Sequence, residues 1–501
     1  MAEQSEVSRR HSTSATAREG LNVYAASNFE GLASMPKTAA NPKRQKGTSR
    51  KAGGVELQRP SGEPRRAPAL SRQEAETNDM QGNRLLDEIL TAGNLNTAYK
   101  RVKENRGSHG VDGMGVDALL PYLKIHGVDI RQSLLEGTYR PQPVRRVEIP
   151  KPDGGIRFLG IPTVVDRMIQ QAISQVLTPI FEQIFSHHSY GFRPKRSAHD
   201  AVRQAQQYIS EGYRTVVDMD LEKFFDRVNH DKLMSLLARR ISDKRVLKLI
   251  RSYLESGVMS EGLVSATDEG TPQGGPLSPL LSNVMLDELD KELERRGHRF
   301  CRYADDCNIY VKSKRAGDRV MRSVTEFIGR RLKLRVNREK SAVDSPMRRK
   351  FLGFSFYWKN GEIHLRVHPK PIKRLKEKVR GITSRSRSMS MEERIRRLNN
   401  VVRGWVNYFR LADMLSQCRT LDEWTRRRLR MCYWKQWKRI TTKHDNLVLL
   451  GLSDSVAWQY ANTRKSYWHT AHSPILTCTL TNDYFHRLGL TSFSGAYRSA
   501  S

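Results

Sequence analysis

The chain has 501 residues, room for two to four domains at ~150 residues each, and its 38% hydrophobic and 28% charged content describes a globular protein with polar segments. Lys and Arg number 87 against 53 Asp and Glu, a formal charge of +34; such an excess repels itself unless a polyanion is near, so nucleic acid is the expected partner. No apolar run reaches the length of a membrane span, and the five cysteines (Cys301, Cys307, Cys418, Cys432, Cys478) include no CxxC pair, which argues against a disulfide framework or zinc ribbon and fits a reducing cytoplasm.

In chain order, residues 1–78 are rich in Ser, Ala, Gly, Pro, Lys and Arg without an apolar period, which predicts a disordered basic tail. Leu85, Leu86, Ile89 and Leu90, then Leu95, Ala98 and Val102, predict helical faces on either side of a turn at Gly93 and Asn94. Arg146 to Ile149 and the segment from Ile156 read as the strands of a hairpin whose turn is Lys151 to Gly155. Apolar residues from Ile169 to Ile184 recur at helical spacing, with Pro179 expected to bend the helix. Thr215 to Leu221 is a strand with Val217, Met219 and Leu221 on one face, Asp218 and Asp220 on the other.

Helices are expected between Lys232 and Leu254 and from about Leu280 to Leu293. Two short strands follow, Phe300 to Tyr303 and Cys307 to Val311, joined by Ala304, Asp305 and Asp306. Beyond Val367 the strand signal fades into basic helices with embedded aromatics, Leu398 to Phe409 and Leu421 to Trp437. This order makes an α+β fold around a palm-like sheet, not a bundle.

Joining nucleotides requires deprotonating a 3′ hydroxyl and neutralising a pyrophosphate, for which two Mg²⁺ ions on carboxylates are suited. Asp305 and Asp306 sit together at a strand-to-strand turn, though an Asp pair in a turn is by itself a common turn former. A strand-borne partner is needed. Asp218 and Asp220 share a face, and periodicity alone does not choose between them.

In VVDMDLEKFFDRVNH, from Val216 to His230, an Asp is followed at the fifth position by an aromatic, and here the chain resembles the reverse transcriptases. That likeness selects Asp220 as catalytic with Asp305 and Asp306, implies a two-Mg²⁺ site including Leu221, and puts Phe225 beneath the incoming sugar. IPKPDGGIRFLGIPTVVDRMIQQA, from Ile149 to Ala172, resembles the family's fingers hairpin, in which Lys151 and Arg157 would grip the triphosphate of a deoxynucleotide. SYGFRPKRSAHDA, from Ser189, is similar to the next block, with Arg193 and Lys195 as template-phosphate contacts. GTPQGGPLSPLLSN, from Gly270, resembles the block beneath the nascent base pair, where Gln273 would bond sugar or base. LKLRVNREKSAV carries Lys340, which would meet pyrophosphate, and KFLGFSF resembles a primer-gripping hairpin around Gly353.

LNTAYKRVKENRGSHGVDGMGVDAL, from Leu95, and the helices from Leu398 to Ile440 narrow the resemblance to group II intron reverse transcriptases, the second segment being similar to their RNA-binding maturase domain. Arg426, Arg427, Arg430 and Lys435 would contact RNA phosphates there. The ending from Ser466 is similar to maturases lacking an endonuclease. The resemblance implies an N-terminal extension and fingers over 79–215, a palm over 216–360, a thumb and maturase domain over 361–445, and a small C-terminal segment over 446–501 with DNA binding as its candidate role. The implied partners are group II intron RNA, a DNA target and primer, and deoxynucleoside triphosphates, with no membrane, in a bacterial cytoplasm and at the nucleoid when on DNA. Two readings stand beside an active polymerase: a splicing maturase with a vestigial polymerase, against which the intact Asp220, Asp305, Asp306, Lys151 and Arg157 argue, and a diversity-generating, retron or antiphage enzyme, against which the maturase-like region argues.

Overall fold

The computed structural model describes residues 84–150, 154–260, 263–265, 269–271 and 274–500. The expected basic tail, Lys151 and Gln273 lie outside the described residues, as does the side chain of Arg157.

The chain opens with α1 (Leu85–Ile89) and α2 (Ala92–Glu104), parted at Thr91, whose hydroxyl accepts the Asn94 amide. The break therefore precedes Gly93 and Asn94, which lie in the first turn of α2, because a threonine N-cap outweighs their turn preference. Next come α3 (Leu119–Glu136), β1 (Val144–Pro150), β2 (Ile156–Ile161), α4 (Val164–Glu182), α5 (Ala198–Ser210) and β3 (Thr215–Met219). They are followed by α6 (His230–Leu237), α7 (Lys244–Glu255), β4 (Val258–Ser260), β5 (Leu263–Ser265), α8 (Ser278–Arg295), β6 (Arg299–Tyr303) and β7 (Asp306–Val311). Then come α9 (Lys314–Phe327), β8 (Ala342–Asp344), β9 (Phe354–Lys359) and β10 (Glu362–Val367). Pro179 is accommodated within α4. Ser197 and Asp200 form a reciprocal capping box that fixes the start of α5.

A four-stranded antiparallel sheet, ordered β6-β7-β3-β8, is the centre of the molecule. Its inner strand β3 buries apolar side chains on both faces. Val217 and Met219 join Phe300 and Ile309 in a core with α1, α2, α4 and the helices α6 to α8, while Val216 joins Cys301 and Tyr310 in a second core. A second sheet, ordered β2-β1-β4-β5, pairs β1 antiparallel with β2 and parallel with β4.

The second core continues into α10 (Pro369–Ile382), α11 (Met391–Phe409), α12 (Leu415–Gln436), α13 (Ile440–Leu449) and short helices from Asp454 to Ala500. Two expected boundaries fall on continuous structure. The division at 360/361 cuts the turn of the β9-β10 hairpin, where Asn360 and Gly361 take φ of +51° and +83°, the left-handed pair of a tight hairpin turn. Residues 446–500 pack onto the preceding helices: Phe485 and Phe493 are buried in the same core as Leu398 and Trp434, and Asp422 of α12 accepts the Phe493 amide at 2.6 Å. Helix α11 is fastened to the stretch before β9: Tyr408 Oη donates to the Leu352 carbonyl at 2.9 Å, and a Cβ on Gly353 would stand 3.1 Å from the Phe409 ring. Among the described residues no helix is long and apolar enough to cross a membrane.

Candidate active site

Strands β6 and β7 pair from Arg299 opposite Tyr310 to Tyr303 opposite Asp306, leaving Ala304 and Asp305 as a two-residue hairpin loop. Ala304 takes φ +56°, a left-handed conformation that glycine adopts without cost and other residues adopt under constraint. Gly191 supplies part of that constraint: a Cβ there would lie 2.3 Å from Ala304 N, so only a bare backbone fits beside the loop.

Asp220 follows β3 and is held by a segment more than a hundred residues away. Its amide donates to Ser341 Oγ at 3.0 Å, its carbonyl accepts the Asn337 amide at 2.8 Å, and Glu222 N donates to Arg335 O at 2.8 Å. This makes Leu221 and Val336 a non-hydrogen-bonded antiparallel pair. The Leu221 carbonyl is therefore turned away from that segment. Asp218, which periodicity could not separate from Asp220, is clamped by Arg349, whose Nε and Nη2 donate to it at 2.9 and 2.6 Å.

A cleft of about 950 Å³ opens between the two sheets, lined by Asp220, Leu221, Phe225, Asp305 and Lys340 on one side and by Arg146 and Phe158 of the β1-β2 hairpin on the other. Phe225 lies in a single 3₁₀ turn, Phe224–Asp226, and its carbonyl accepts the Thr271 amide at 2.6 Å. Burial pushes the Asp220 carboxyl above the usual range, the Lys340 ammonium pulls it back, and Asp305 pushes it up again. Asp306, the first residue of β7, has a solvent-reached side chain and is not among the residues lining the cleft; enclosure by protein and then the neighbouring Asp305 charge raise it.

Among the described residues no three His, Cys, Asp or Glu side chains close into a metal-holding group. The donor chemistry nevertheless suits a hard divalent cation, since the Asp305 charge works against ionisation of the Asp220 and Asp306 carboxyls and a cation among them would relieve that. Magnesium is usually held by one or two carboxylates completed by substrate phosphates and water, not by a protein cage.

The residues expected to contact RNA divide into two groups. Arg193 is buried, with Nη2 2.9 Å from Glu182 and Nη1 donating to the carbonyls of Ser186 and Ser189. Arg430 is buried and donates to Leu480 O at 2.9 and 3.1 Å, and Arg427 donates to Trp468 O at 3.0 Å with its guanidinium over the Trp468 ring at 4.0 Å. These three side chains are committed to contacts within the protein. Lys195 and Lys435 are exposed, and Arg426 is half-buried with no hydrogen bond or ion pair among the described residues. Sequence reasoning missed Ser341, Asn337 and Arg349, which hold the aspartate strand, and Arg146, stacked 3.5 Å over the Phe158 ring.

An antiparallel sheet presenting carboxylates to an open cleft, with a paired-strand hairpin as the facing wall, is the arrangement of palm-type nucleic-acid polymerases. The sequence signature described as "Reverse transcriptase (RNA-dependent DNA polymerase)" matches residues 149–356, and that described as "Group II intron, maturase-specific domain" matches residues 372–448. The chain is 36% identical over 300 residues to Protein YkfC of Escherichia coli (strain K12), covering 52% of this chain and 79% of that one. It is 37% identical over 223 residues to the group II intron-encoded protein LtrA of Lactococcus lactis subsp. cremoris, covering 44% of this chain and 37% of LtrA. Among solved structures, the partial Cas6-RT-Cas1--Cas2 complex overlays with a TM-score of 0.33 and 26% identity, over 49% of this chain and 42% of that one, an overlay too partial to carry weight. The chain belongs to the group II intron reverse transcriptase and maturase family: it is an RNA-directed DNA polymerase with a reverse transcriptase fold, joined to a maturase domain.

Proposed function

We propose that the protein copies group II intron RNA into DNA at the cleft between the two sheets and uses its C-terminal helices to bind the same RNA during splicing. The observation that carries this reading is the convergence of Asp220, Phe225, Asp305 and Lys340 on one cleft, from three separate stretches of chain. Asp220, Asp305 and Asp306, with the Leu221 carbonyl, would hold two Mg²⁺ ions, which when bound lower the cost of ionising the primer 3′ hydroxyl and screen the leaving pyrophosphate. Lys340, which lines the cleft, would meet that pyrophosphate, and the Phe225 ring would lie under the deoxyribose, where a 2′ hydroxyl would collide with it. Lys151, Arg157 and Gln273 keep their proposed roles toward triphosphate and base from the sequence alone.

In this assignment β1-β2 belongs to the fingers, the central sheet is the palm, and the helices from Pro369 form thumb and maturase domain. The partners are intron RNA, a DNA target and primer, and deoxynucleoside triphosphates, in a bacterial cytoplasm. RNA contact falls to Arg426, Lys435 and Lys195, whose charges are not committed to carbonyls. Primer extension on an RNA template, measured beside intron RNA retention, tests the reading: Asp306→Ala should abolish synthesis and leave retention within about twofold, since affinity comes from phosphate contacts elsewhere. Substantial residual synthesis by this variant would overturn the metal assignment.

A further inference from the structure

The residue before the Tyr303-Ala304-Asp305-Asp306 turn is a cation with no route to solvent. Arg302 is 1% exposed and its partner Asp290, on α8, is 0% exposed. All five guanidinium N–H groups have acceptors. Nε donates to Asp290 Oδ1 at 2.7 Å and Nη2 to Oδ2 at 2.5 Å; Nη2 also donates to Ser189 Oγ at 2.8 Å. Nη1 donates to Asn283 Oδ1 at 3.0 Å and to the Ala304 carbonyl at 3.0 Å. The last of these reaches into the loop that carries Asp305.

The main chain of Arg302 is tied as well. Its amide donates to His188 O at 2.9 Å and its carbonyl accepts the Tyr190 amide at 2.8 Å, which makes the 188–190 stretch a short parallel neighbour of β6. Asn283 closes the circuit by donating Nδ2 to Gly191 O at 2.9 Å, and Gly191 is the residue whose backbone lies against Ala304. Three remote pieces of chain, the 188–191 loop, helix α8 and the hairpin loop, therefore meet on one guanidinium.

A buried ion pair is weak evidence for stability, because desolvating two charges offsets most of their attraction. Its geometry is a stronger clue. A planar fork fixes several acceptors at once in directions that neither lysine nor an apolar side chain can reproduce. Here one tine ends on a loop whose first residue is a left-handed alanine, a conformation that must be imposed from outside.

We infer that Arg302 is a positioning residue of the polymerase site: through the Ala304 carbonyl it sets the pose of Asp305 and Asp306, and hence the avidity of the site for its divalent ions. The inference rests on the polymerase reading above. Groups that orient metal-binding side chains commonly change metal affinity or activity by about 10- to 100-fold when altered.

The test uses the full chain with Arg302→Lys and, separately, the double change Arg302→Met with Asp290→Leu, which removes both charges together and so avoids stranding either one. Single-turnover extension should slow by about 100-fold in both variants, while the Mg²⁺ concentration for half-maximal rate rises about tenfold. KM for the deoxynucleotide should stay within about threefold, as a positioning role predicts. A readout independent of activity is amide exchange at Ala304 to Cys307 in the metal-free protein, which should speed up in both variants while exchange in β3 stays native. Wild-type Mg²⁺ dependence and native exchange in a folded Arg302→Lys protein would overturn the inference. Loss of the polymerase reading would show differently, as no extension by the unaltered chain; should the double variant fail to fold, the lysine variant alone decides.

Discussion

Gly191→Ala is the smallest change that should disable the active site without touching a polar group. The added Cβ would lie 2.3 Å from Ala304 N and 3.0 Å from the Tyr303 carbonyl carbon, whereas ordinary contact begins near 3.4 Å, so the shortfall is about 1.1 Å. Both obstacles are main chain and cannot rotate aside. The 188–191 loop cannot retreat freely either, because it is bonded to both main-chain groups of Arg302, so the displacement passes to the hairpin loop bearing Asp305. A misplacement of about 1 Å at a reacting group costs on the order of 100-fold in rate. Single-turnover extension of a primed RNA template should fall by that factor, with thermal unfolding lowered modestly and intron RNA retention unchanged. Extension within threefold of the parent, from a folded variant, would refute the claim that this contact sets the carboxylate pose.

Phe225→Ala should raise incorporation of ribonucleotides relative to deoxyribonucleotides in a competitive extension assay, and unchanged discrimination in an active variant would return the ring to a packing role. Arg193→Met should act on stability, because Glu182 and two carbonyls lose a buried partner. The expected cost is about 3 kcal/mol, at the lower end for a broken buried pair because Glu182 is 23% exposed; thermal melting should fall while the salt dependence of RNA binding keeps its slope. Arg426→Glu with Lys435→Glu should weaken intron RNA retention and assisted splicing more than generic extension, and flatten the plot of log affinity against log salt by roughly one unit per lost phosphate contact. Equal loss of both activities would make that face chiefly a thumb.

The strands that carry the aspartates were legible because their apolar alternation and a two-residue loop leave few other readings of Phe300 to Val311. The helices of the C-terminal region were legible from their apolar spacing, and Trp434 and Trp437, two of their embedded aromatics, are buried. What could not be read was which cations face solvent. In a chain with 87 Lys and Arg, nothing local distinguishes Arg193 or Arg430, each folded onto carbonyls and sealed under helices, from Arg426 a turn away. The choice between Asp218 and Asp220 was likewise closed to periodicity, since it depends on Arg349, which lies 131 residues further on. The expected boundary at 360/361 falls on an Asn-Gly pair, which in this fold turns the β9-β10 hairpin.

The attachment of α11 to the stretch before β9 bears on how the cleft can open. Tyr408 offers its hydroxyl to Leu352 and its carbonyl to His199 Nε2, which donates at 2.6 Å, and Gly353 leaves no room for slack against Phe409. Rotation of the long helix must then drag the proposed primer-side hairpin and α5 with it, so these parts behave as one lever anchored in the palm. Among the described residues the β1-β2 ribbon has no hydrogen bond to the helices from Pro369 onward, and its sheet partner is β4. Under the proposed assignment, admission of each nucleotide would fall to the ribbon and the grip on the growing duplex to this frame, a division of labour under which pausing and slippage during copying should respond to changes in the ribbon far more than to changes in the thumb.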